Sequence, residues 1–334
     1  MKLDKIIENV DDLNILNSWM VANSKLSTYR KILCAVSGGS DSDILVHLCA
    51  TLDENKRVTY VFYDTGLEFQ ATKNHIKYLE SRYGITIETK KAVKPVPACV
   101  KQYGIPFLSK RVSDYMNRLQ SHGFDWRDGT YEELVKIFPK CQTALRWWCN
   151  AWGETSRFNI SFHKGLKEFI MSCHPQFLVS NKCCHYAKKL VAKRCVEESG
   201  FDLNITGVRR AEGGLRQTAY KNCFTAETEK AIAQYRPIFW YNGESKEKFK
   251  ALYDIKNSDC YEVWGLKRTG CSGCPYARNI DEELEAVRIH EPKLYKALMN
   301  VFGPSYEYTR KYHEFRDKLK AEEENQQSEG AKSA

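Results

Sequence analysis

The alternation of strand and helix patterns between residues 31 and 89 is the feature that most constrains how this chain folds. "KILCAV" (31–36), "RVTYVFYD" (57–64) and "ITIET" (85–89) are short apolar or β-branched runs, typical of buried strands. Between them, "SDILVHLCATL" (42–52) and "FQATKNHIKYLESRYG" (69–84) carry apolar residues at helical spacing. Such alternation predicts βαβ units, and therefore an α/β fold with a parallel sheet and helices on both faces.

The first strand is joined to the first helix by Ser-Gly-Gly-Ser-Asp-Ser, residues 37–42. Ligands of open α/β sheets bind beyond the carboxyl ends of the strands, where this loop should lie. Two glycines permit positive φ and the close approach of backbone N–H groups to an anion, and the following helix N-terminus adds donors. The loop is neither a Walker loop nor a Gly-x-Gly-x-x-Gly loop. The predicted phosphate-binding residues are Ser37, Gly38, Gly39, Ser40, Asp41 and Ser42. The residues alone also fit a plain loop that caps the helix through Asp41 or Ser40.

The chain has thirteen cysteines, an odd number. In a reducing compartment such a content favours metal binding or thiol chemistry over disulfides. Cys183-Cys184 and Cys271-x-x-Cys274 form two clusters that could close a metal site, and a proline after the last cysteine is typical of some iron–sulfur segments. Zinc is the competing interpretation, although adjacent cysteines suit tetrahedral zinc poorly. The other nine are expected to be buried apolar residues, with Cys195 and Cys260 the ones to watch.

The net charge of +9 suits an anionic partner, either a nucleotide or a nucleic acid. The charged start "MKLDKIIENVDDLN" is unlike a signal peptide, and no apolar run approaches the ~20 residues of a membrane span. We therefore expect a cytoplasmic protein that makes no membrane contact. The basic segments 188–194 and 310–320 could contact a phosphate backbone, although such segments are more often solvated helix faces.

The loop at 37–42 resembles the Ser-Gly-Gly-x-Asp-Ser loop of the adenine nucleotide α-hydrolase superfamily, the ATP pyrophosphatases. That superfamily holds the β- and γ-phosphates of ATP there and cleaves between the α- and β-phosphates. "FYDTGLEFQAT" (62–72) is similar to the Asp-Thr-Gly…Glu-Thr segment of the phosphoadenylylsulfate (PAPS) reductase branch, with Ala71 where that branch often has Glu. The resemblance implies that Asp64 and Gly66 contact the nucleotide or its Mg²⁺. Taken alone, Asp64 is a turn residue before glycine.

"TGVRRAEGGLR" (206–216) resembles the family's Gly-Ile-Arg-Arg…Ser-x-x-Arg stretch, which binds the anionic end of the nucleotide. The resemblance gives Arg209, Arg210 and Arg216 this role, with Gly213 in place of the family serine. Lys188 matches a lysine that lies near cluster and substrate. The cysteines resemble the Cys-Cys…Cys-x-x-Cys set of adenylylsulfate (APS) reductases, which implies a [4Fe–4S] cluster on Cys183, Cys184, Cys271 and Cys274. The implied catalytic residues are Asp41, Lys188, Arg209 and Arg216.

PAPS and APS reductases finish with a Glu-Cys-Gly-x-His segment whose cysteine attacks the sulfate sulfur, and no cysteine follows Cys274 here. We therefore expect an ATP pyrophosphatase that yields AMP and pyrophosphate and activates a substrate for sulfur transfer, similar to phage and DNA-phosphorothioation members. The expected substrate is nucleic acid, DNA or tRNA, and expected partners are a cysteine desulfurase or modification-complex subunits. The alternative is a thioredoxin-dependent PAPS or APS reductase with another nucleophile, such as Cys260. A third hypothesis is a non-catalytic nucleotide-binding protein.

Four regions are expected along the chain. Residues 1–28 form a helical extension, and 29–225 form the nucleotide-binding α/β domain. Residues 226–318 form a mainly helical part that completes the cluster site. The tail 319–334 has no apolar anchor and is expected to be disordered.

Overall fold

A computed structural model describes residues 3–213 and 218–332, with side chains to residue 325. The strands are β1 (Ile32–Val36), β2 (Val58–Asp64), β3 (Ile87–Lys91), β4 (Leu203–Ile205), β5 (Phe224–Thr225) and β6 (Ala233–Tyr235). The helices are α1 (Leu3–Ile7), α2 (Leu13–Thr28), α3 (Ser40–Leu52), α4 (Gln70–Tyr83), α5 (Val96–Tyr103), α6 (Lys110–Ser121), α7 (Tyr131–Ile137), α8 (Gln142–Trp148), α9 (Leu166–Ser172), α10 (Lys182–Cys184), α11 (Leu190–Ser199), α12 (Gly243–Leu252), α13 (Asp259–Glu262), α14 (Ile280–His290) and α15 (Pro292–Lys332). Short 3₁₀ turns cover Pro139–Cys141, Ile160–Phe162 and Arg210–Glu212, and a π turn covers His185–Lys189.

The six strands form one sheet in the order β3-β2-β1-β4-β6-β5. All neighbours pair in parallel except β5 and β6, which are antiparallel. Ile32 pairs with Val58 on one side and with Leu203 on the other, so β1 is central. The strand order reverses between β1 and β4, and in doubly wound sheets the ligand crevice opens at that point. The predicted parallel α/β sheet is confirmed, with one antiparallel strand at its edge.

Helices cover both faces of this sheet because residues along each strand alternate between the faces. Ile32 and Cys34 of β1 lie in the core formed with α2, α3 and α4. Leu33 and Val61 point the other way and pack with Cys195 of α11 and nearby Phe201. Two-sided burial explains why the strands read as nearly continuous apolar runs.

The predicted N-terminal helical extension is α1 and α2. Asp12 caps α2 by accepting hydrogen bonds from the backbone N–H groups of Asn14 and Ile15. Trp19 of α2 is fully buried, with its ring 5.9 Å from that of Phe249 and 5.7 Å from that of His47. Burial lowers the pKa of His47 to about 4, so the imidazole is neutral in this apolar setting.

The chain divides into two compact units, each built from two segments. Unit 1 comprises residues 1–96 and 186–272 and contains the whole sheet. Unit 2 comprises residues 97–185 and 273–334 and is helical. This division differs from the expected boundaries at 29–225 and 226–318, because the chain leaves the sheet after β3 and returns to it only at β4.

Unit 2 has an aromatic core of its own. Trp147, Trp148, Phe169 and Tyr308 are buried together there, and Trp148 Nε1 donates a hydrogen bond to the Arg127 carbonyl at 2.9 Å. Its last helix, α15, runs to Lys332, through the segment for which disorder is expected. That segment is rich in Lys, Ala, Glu and Gln, which have high helix propensity. Among the described helices, none combines the length and apolarity that crossing a membrane requires.

Candidate functional site

The loop between β1 and α3 lies at the carboxyl edge of the sheet, as predicted. Gly38 has φ +66°, and a Cβ there would lie 2.7 Å from Thr72 Cγ2. Gly39 has φ −99°, so only the first glycine uses the left-handed region. The loop is braced internally, because the Gly39 N–H donates to Ser42 Oγ at 3.1 Å and Ser42 Oγ donates to the Gly39 carbonyl at 2.7 Å.

Ser40 begins α3, and its hydroxyl is buried at the start of that helix. Within residues 3–213 and 218–325, Ser40 Oγ has no hydrogen-bond partner. Leaving a buried hydroxyl unsatisfied costs about 1–3 kcal/mol, and such groups in native proteins are usually explained by water or a ligand. A phosphate oxygen at the helix N-terminus would satisfy it and would meet the positive end of the helix dipole.

Asp41 holds two cations at the mouth of this loop. Arg209 Nε lies 2.9 Å and Lys246 Nζ 3.0 Å from the same oxygen, Asp41 Oδ1. All three side chains are mostly buried, with exposures of 22% for Asp41 and 15% for each cation. They come from three places along the chain: Asp41 from the first turn of α3, Arg209 from the loop after β4, and Lys246 from α12. Two positive charges therefore converge where the sequence predicts a triphosphate.

Lys246 is the site residue that the sequence analysis missed. Asn242 caps α12 by accepting a hydrogen bond from the Ser245 N–H at 2.8 Å, which fixes the start of the helix and the direction of Lys246. The segment "RPIFWYNGESKEKF" contains two lysines, and nothing in its spacing distinguishes Lys246 from Lys248, which pairs with Asp11 instead. Only the tertiary position of α12 separates them.

Tyr261 and Thr269 cover Gly39. A Cβ on Gly39 would lie 3.1 Å from the Tyr261 hydroxyl and 3.3 Å from Thr269 Oγ1. The two hydroxyls are 2.9 Å apart, and burial raises the pKa of Tyr261. Gly39 is therefore needed for close approach rather than for a positive φ.

Directly behind the loop, Asp43 and His75 form a buried pair with Oδ1 and Nε2 3.0 Å apart. Burial raises the pKa of Asp43, and the neighbouring His75, Lys246 and Lys250 oppose that rise. The pair connects α3 to α4 beneath the phosphate loop. The sequence does not indicate this pair, because Asp43 resembles an ordinary acidic residue in the first turn of a helix.

Asp64 ends β2 and shapes the next turn. Its Oδ1 accepts the Gly66 N–H at 2.8 Å, and its Oδ2 lies 3.9 Å from Lys73 Nζ. Gly66 has φ +83°, and a Cβ there would lie 2.8 Å from Pro95 Cβ. A cavity of about 250 Å³ opens beside Asp64 and Lys73. The contacts are those of a turn aspartate, and a role in binding nucleotide or Mg²⁺ stays a prediction.

The other predicted basic residues lie in three different situations. Lys188 is on the π turn, where its charge acts on the buried Glu68, whose pKa is raised by burial despite hydrogen bonds from Thr65. The Arg210 guanidinium lies 5.6 Å from the ring centre of Trp240, whereas its neighbour Arg209 contacts Asp41. Arg216 lies outside the described residues, so the predicted three-arginine set stays a prediction.

Three of the four predicted cluster cysteines, Cys183, Cys184 and Cys274, belong to unit 2, as does Tyr276. Besides its burial, the charges of Cys184, Cys183 and Cys274 raise the pKa of Tyr276. Cys271 lies in unit 1, three residues before Cys274. In the part of the chain that the structure describes, no three His, Cys, Asp or Glu side chains have the arrangement of a metal site. Thiolates are the ligands that iron–sulfur clusters use, so the four cysteines fit such a cluster by residue type, and the cluster stays a prediction.

The candidate replacement nucleophiles are inaccessible. Cys260 is fully buried, and its sulfur lies 4.0 Å from Thr72 Oγ1. Cys195 of α11 is 5% exposed and packs in the core between α11 and the sheet. Of the nine cysteines expected to be apolar core residues, six are buried and Cys149, Cys173 and Cys223 are half-buried.

Unit 1 therefore presents a braced glycine loop, a buried hydroxyl and a carboxylate that carries two cations. This combination suits a polyphosphate, because backbone amides and the cations can share its charge while the carboxylate remains beside it for a divalent cation.

Parts of this chain are similar to known proteins. Residues 31–146 match the family model of the phosphoadenosine phosphosulfate reductase domain. An uncharacterised protein of Methanocaldococcus jannaschii is 42% identical over 85 residues, which are 24% of this chain and only 17% of that protein.

Solved structures show weaker similarity. The phosphoadenylyl-sulfate reductase of Candida auris in its phosphate complex is 13% identical with a TM-score of 0.42, covering 80% of this chain and 93% of that one. The U34-tRNA thiolase NcsA of Methanococcus maripaludis with its [4Fe–4S] cluster is 14% identical with a TM-score of 0.38, covering 92% and 81%. At TM-scores this low, neither structure bears on activity.

Proposed function

We propose that this chain, whose residues 31–146 match the family model of the phosphoadenosine phosphosulfate reductase domain, binds Mg²⁺-ATP at residues 37–42 and cleaves it to AMP and pyrophosphate. The cleavage activates an acceptor, for which nucleic acid is our candidate, toward sulfur transfer. The observation that carries the proposal is the meeting of Arg209 and Lys246 on Asp41 beside the phosphate loop.

In the proposed reaction an oxygen of the acceptor attacks the α-phosphorus of ATP, and the bond from that phosphorus to the bridging oxygen breaks. Pyrophosphate leaves with the electron pair, and the acceptor carries AMP. Arg209 and Lys246 can transfer their hydrogen bonds from Asp41 to phosphate oxygens, and they offset the charge that develops on the leaving group. The Ser40 hydroxyl and the N-terminus of α3 hold the same phosphates.

Mg²⁺ would be held by Asp41 or Asp64 together with phosphate oxygens, and when bound it neutralises charge on the triphosphate. Once Arg209 and Lys246 contact the phosphates, the carboxylate of Asp41 becomes available to such an ion. Asp41 thus keeps the two cations in place before the nucleotide arrives.

In the second half of the proposed reaction, sulfur displaces AMP from the activated acceptor. Cys183, Cys184, Cys271 and Cys274 would hold a [4Fe–4S] cluster, which binds sulfur or carries electrons when present. The sulfur would come from sulfide, which displaces AMP directly, or from a persulfide of a partner such as a cysteine desulfurase. In the second case the outer sulfur displaces AMP, and a thiol reductant then cleaves the resulting S–S bond, which releases the thiolated acceptor and leaves a disulfide between the partner's cysteine and the reductant. The location of Cys183, Cys184 and Cys274 in one compact unit supports this part of the proposal.

A sulfonucleotide reductase is the second candidate, favoured by the match of residues 31–146 to the phosphoadenosine phosphosulfate reductase domain. It needs a thiolate that can reach the sulfate sulfur of PAPS or APS. The burial of Cys260 and Cys195 argues against either as that nucleophile, because a thiolate in an apolar core is both costly and inaccessible.

The test incubates anaerobically purified protein with Mg²⁺ and either ATP or PAPS, with and without single-stranded nucleic acid, and separates the products. We expect AMP and pyrophosphate from ATP, no sulfite from PAPS, and no turnover by Asp41→Asn. Asp11→Asn, at an exposed carboxylate paired with Lys248, is the matched control and should remain active. Release of sulfite and adenosine 3′,5′-bisphosphate from PAPS would establish the reductase instead.

A further inference from the structure

Unit 2 has exposed aromatic side chains that lie outside its core. The irregular segment from 150 to 162, here called the aromatic loop, follows α8 and ends in the 3₁₀ turn Ile160–Phe162. Trp152 is 38% exposed, Phe158 42% and Phe162 65%. The rings of Trp152 and Phe158 are 6.2 Å apart and inclined by 53°, so their faces are directed differently. The loop is therefore a surface with several separate ring faces.

Arginines accompany these rings. The guanidinium of Arg111 lies 4.6 Å from the ring centre of Phe158, and that of Arg157 lies 5.6 Å from it. Arg146 lies 5.2 Å from the ring centre of Trp152. A guanidinium stacked on a ring keeps its N–H edge available for a phosphate, while its flat face and the remaining ring area can contact a base.

The charge of this surface is positive. Among the ion pairs of the described residues, none involves Arg111, Arg146 or Arg157, whereas nearby Lys164 pairs with Glu323 and Lys167 with Asp128. The segment 150–162 contains one acidic residue, Glu154. Three arginines without an acidic partner favour an anionic occupant.

The aromatic loop is also built to keep its shape. The buried Asn159 accepts the Trp152 N–H at 3.1 Å and donates to the Gly153 carbonyl at 2.6 Å. Asn150 accepts the Ser161 N–H at 3.1 Å. Arg111 donates to the Arg157 carbonyl at 2.9 Å. A side-chain amide in the core of a loop holds the exposed rings in place before any partner binds, which reduces the entropic cost of binding.

We propose that the aromatic loop binds the unstacked bases of a single-stranded nucleic acid, with Arg111, Arg146 and Arg157 on its phosphates. Bases in a duplex offer no free faces to such rings, whereas a single strand can place successive bases on differently directed rings. The inference rests on the proposed function and deepens it, because it identifies the class of acceptor and the residues that hold it.

The test measures fluorescence anisotropy of labelled 20-nucleotide RNA, single-stranded DNA and duplex DNA with the full-length chain, in the absence of ATP. We expect the single strands to bind at least about tenfold more tightly than the duplex. Trp152→Ala and Phe158→Ala should each weaken binding about 5- to 150-fold, the range for loss of one base–aromatic stack. Trp152→Phe should retain most of the affinity, and Ile289→Ala, at an exposed apolar residue elsewhere in unit 2, should retain all of it.

The charge contribution is tested by salt dependence. The double variant Arg146→Gln/Arg157→Gln should reduce the slope of log K against log salt by about 1.4, because each phosphate contact of a single strand contributes about 0.7. Arg288→Gln/Lys296→Gln removes the same charge from α14 and α15 and should leave the slope unchanged. Equal binding of duplex, or aromatic variants that bind like Ile289→Ala, would overturn the inference.

The two proposals fail separately. The chain could cleave ATP to AMP and pyrophosphate without binding oligonucleotides through the aromatic loop. That result would support the proposed function and overturn this inference. Binding through the loop by a chain that neither binds nor cleaves ATP would leave this inference standing as a binding site and overturn the proposed function.

Discussion

Replacement of Lys246 by methionine is the most informative single perturbation of this site. Lys246 Nζ lies 3.0 Å from Asp41 Oδ1 and is 15% exposed, and Arg209 lies at 2.9 Å from the same oxygen. Lys246→Met keeps the length and apolar contacts of the side chain and removes its charge. In the nucleotide-bound state it should remove one of the two cations that face the phosphates.

The magnitude follows from the contacts. A charge-assisted hydrogen bond contributes about 1.5–3 kcal/mol net, well below the about 5 kcal/mol that Coulomb's law gives for two charges ~3 Å apart at an effective dielectric constant of 20. We therefore expect Mg²⁺-ATP to bind roughly 10- to 150-fold more weakly. The free energy of unfolding should change by less than about 1 kcal/mol, because Arg209 still pairs with Asp41 and no buried charge is left without a partner.

Titration calorimetry with a non-hydrolysable ATP analogue measures the affinity, and thermal unfolding measures the stability. Lys248→Met is the matched control, since Lys248 lies two residues away on α12 and pairs with Asp11. If Lys246→Met binds the analogue as tightly as Lys248→Met does, the two cations do not serve the phosphates. If Lys246→Met unfolds at a much lower temperature than the control, Lys246 is a structural residue instead.

Three further perturbations test other parts of the structure. Gly38→Ala should abolish binding of the ATP analogue, because the φ of Gly38 is +66° and an added Cβ would meet Thr72. Gly84→Ala is the control: Gly84 has φ +61° and nothing within 4 Å of an added Cβ, so the change should cost about 1 kcal/mol of stability and leave binding intact. Burial raises the pKa of Glu283 from 4.5 to about 7. Protonation is then favoured in the folded state, so the contribution of Glu283 to stability is greatest below about pH 4.5 and declines by up to about 3 kcal/mol as pH rises to 7. Glu283→Gln should remove that decline in denaturant titrations at several pH values, and an unchanged profile would refute the assignment. Cys183→Ser should lose the iron and visible absorbance of anaerobically reconstituted protein and Cys195→Ser should keep them; equal iron in both would exclude Cys183 as a ligand.

The central strands and their helices could be predicted from the sequence because burial on both faces leaves a strong pattern. β1 and β2 are nearly continuous apolar runs, and α4 ends at Gly84 in the left-handed conformation, as its sequence predicts. β5 and β6 could not be predicted, since strands of two and three residues are too short to show a period.

The site could be predicted only where its residues share a loop. Asp41 and Ser40 follow directly from the position of the Ser-Gly loop after a strand. Lys246 is brought to Asp41 by the packing of α12, and local patterning contains no information on that packing. Arg209 and Arg210 are also separated only by the fold, because Arg209 is extended whereas Arg210 begins a 3₁₀ turn, and one contacts Asp41 while the other lies beside Trp240.

The aromatic loop shows a further limit. Trp147 and Trp148 are core residues and Trp152 is exposed, although all three lie within one stretch of six residues in the segment "RWWCNAW". Composition identifies this segment as rich in aromatic residues, but only the fold distinguishes those that stabilise unit 2 from those that face outward.

The pairing of β1 with both β2 and β4 has a consequence for how the protein is made. Ile32 can pair with Val58 early in synthesis. Its other neighbour, Leu203, emerges from the ribosome only after the first segment of unit 2 has been translated. At elongation rates of about 5–20 residues per second, the edge of β1 that pairs with β4 stays unpaired for roughly ten seconds or more. An open apolar edge is a template for aggregation. Any truncation before residue 203 would make that delay permanent, so we expect such fragments to be recovered in inclusion bodies even when they contain the entire phosphate loop.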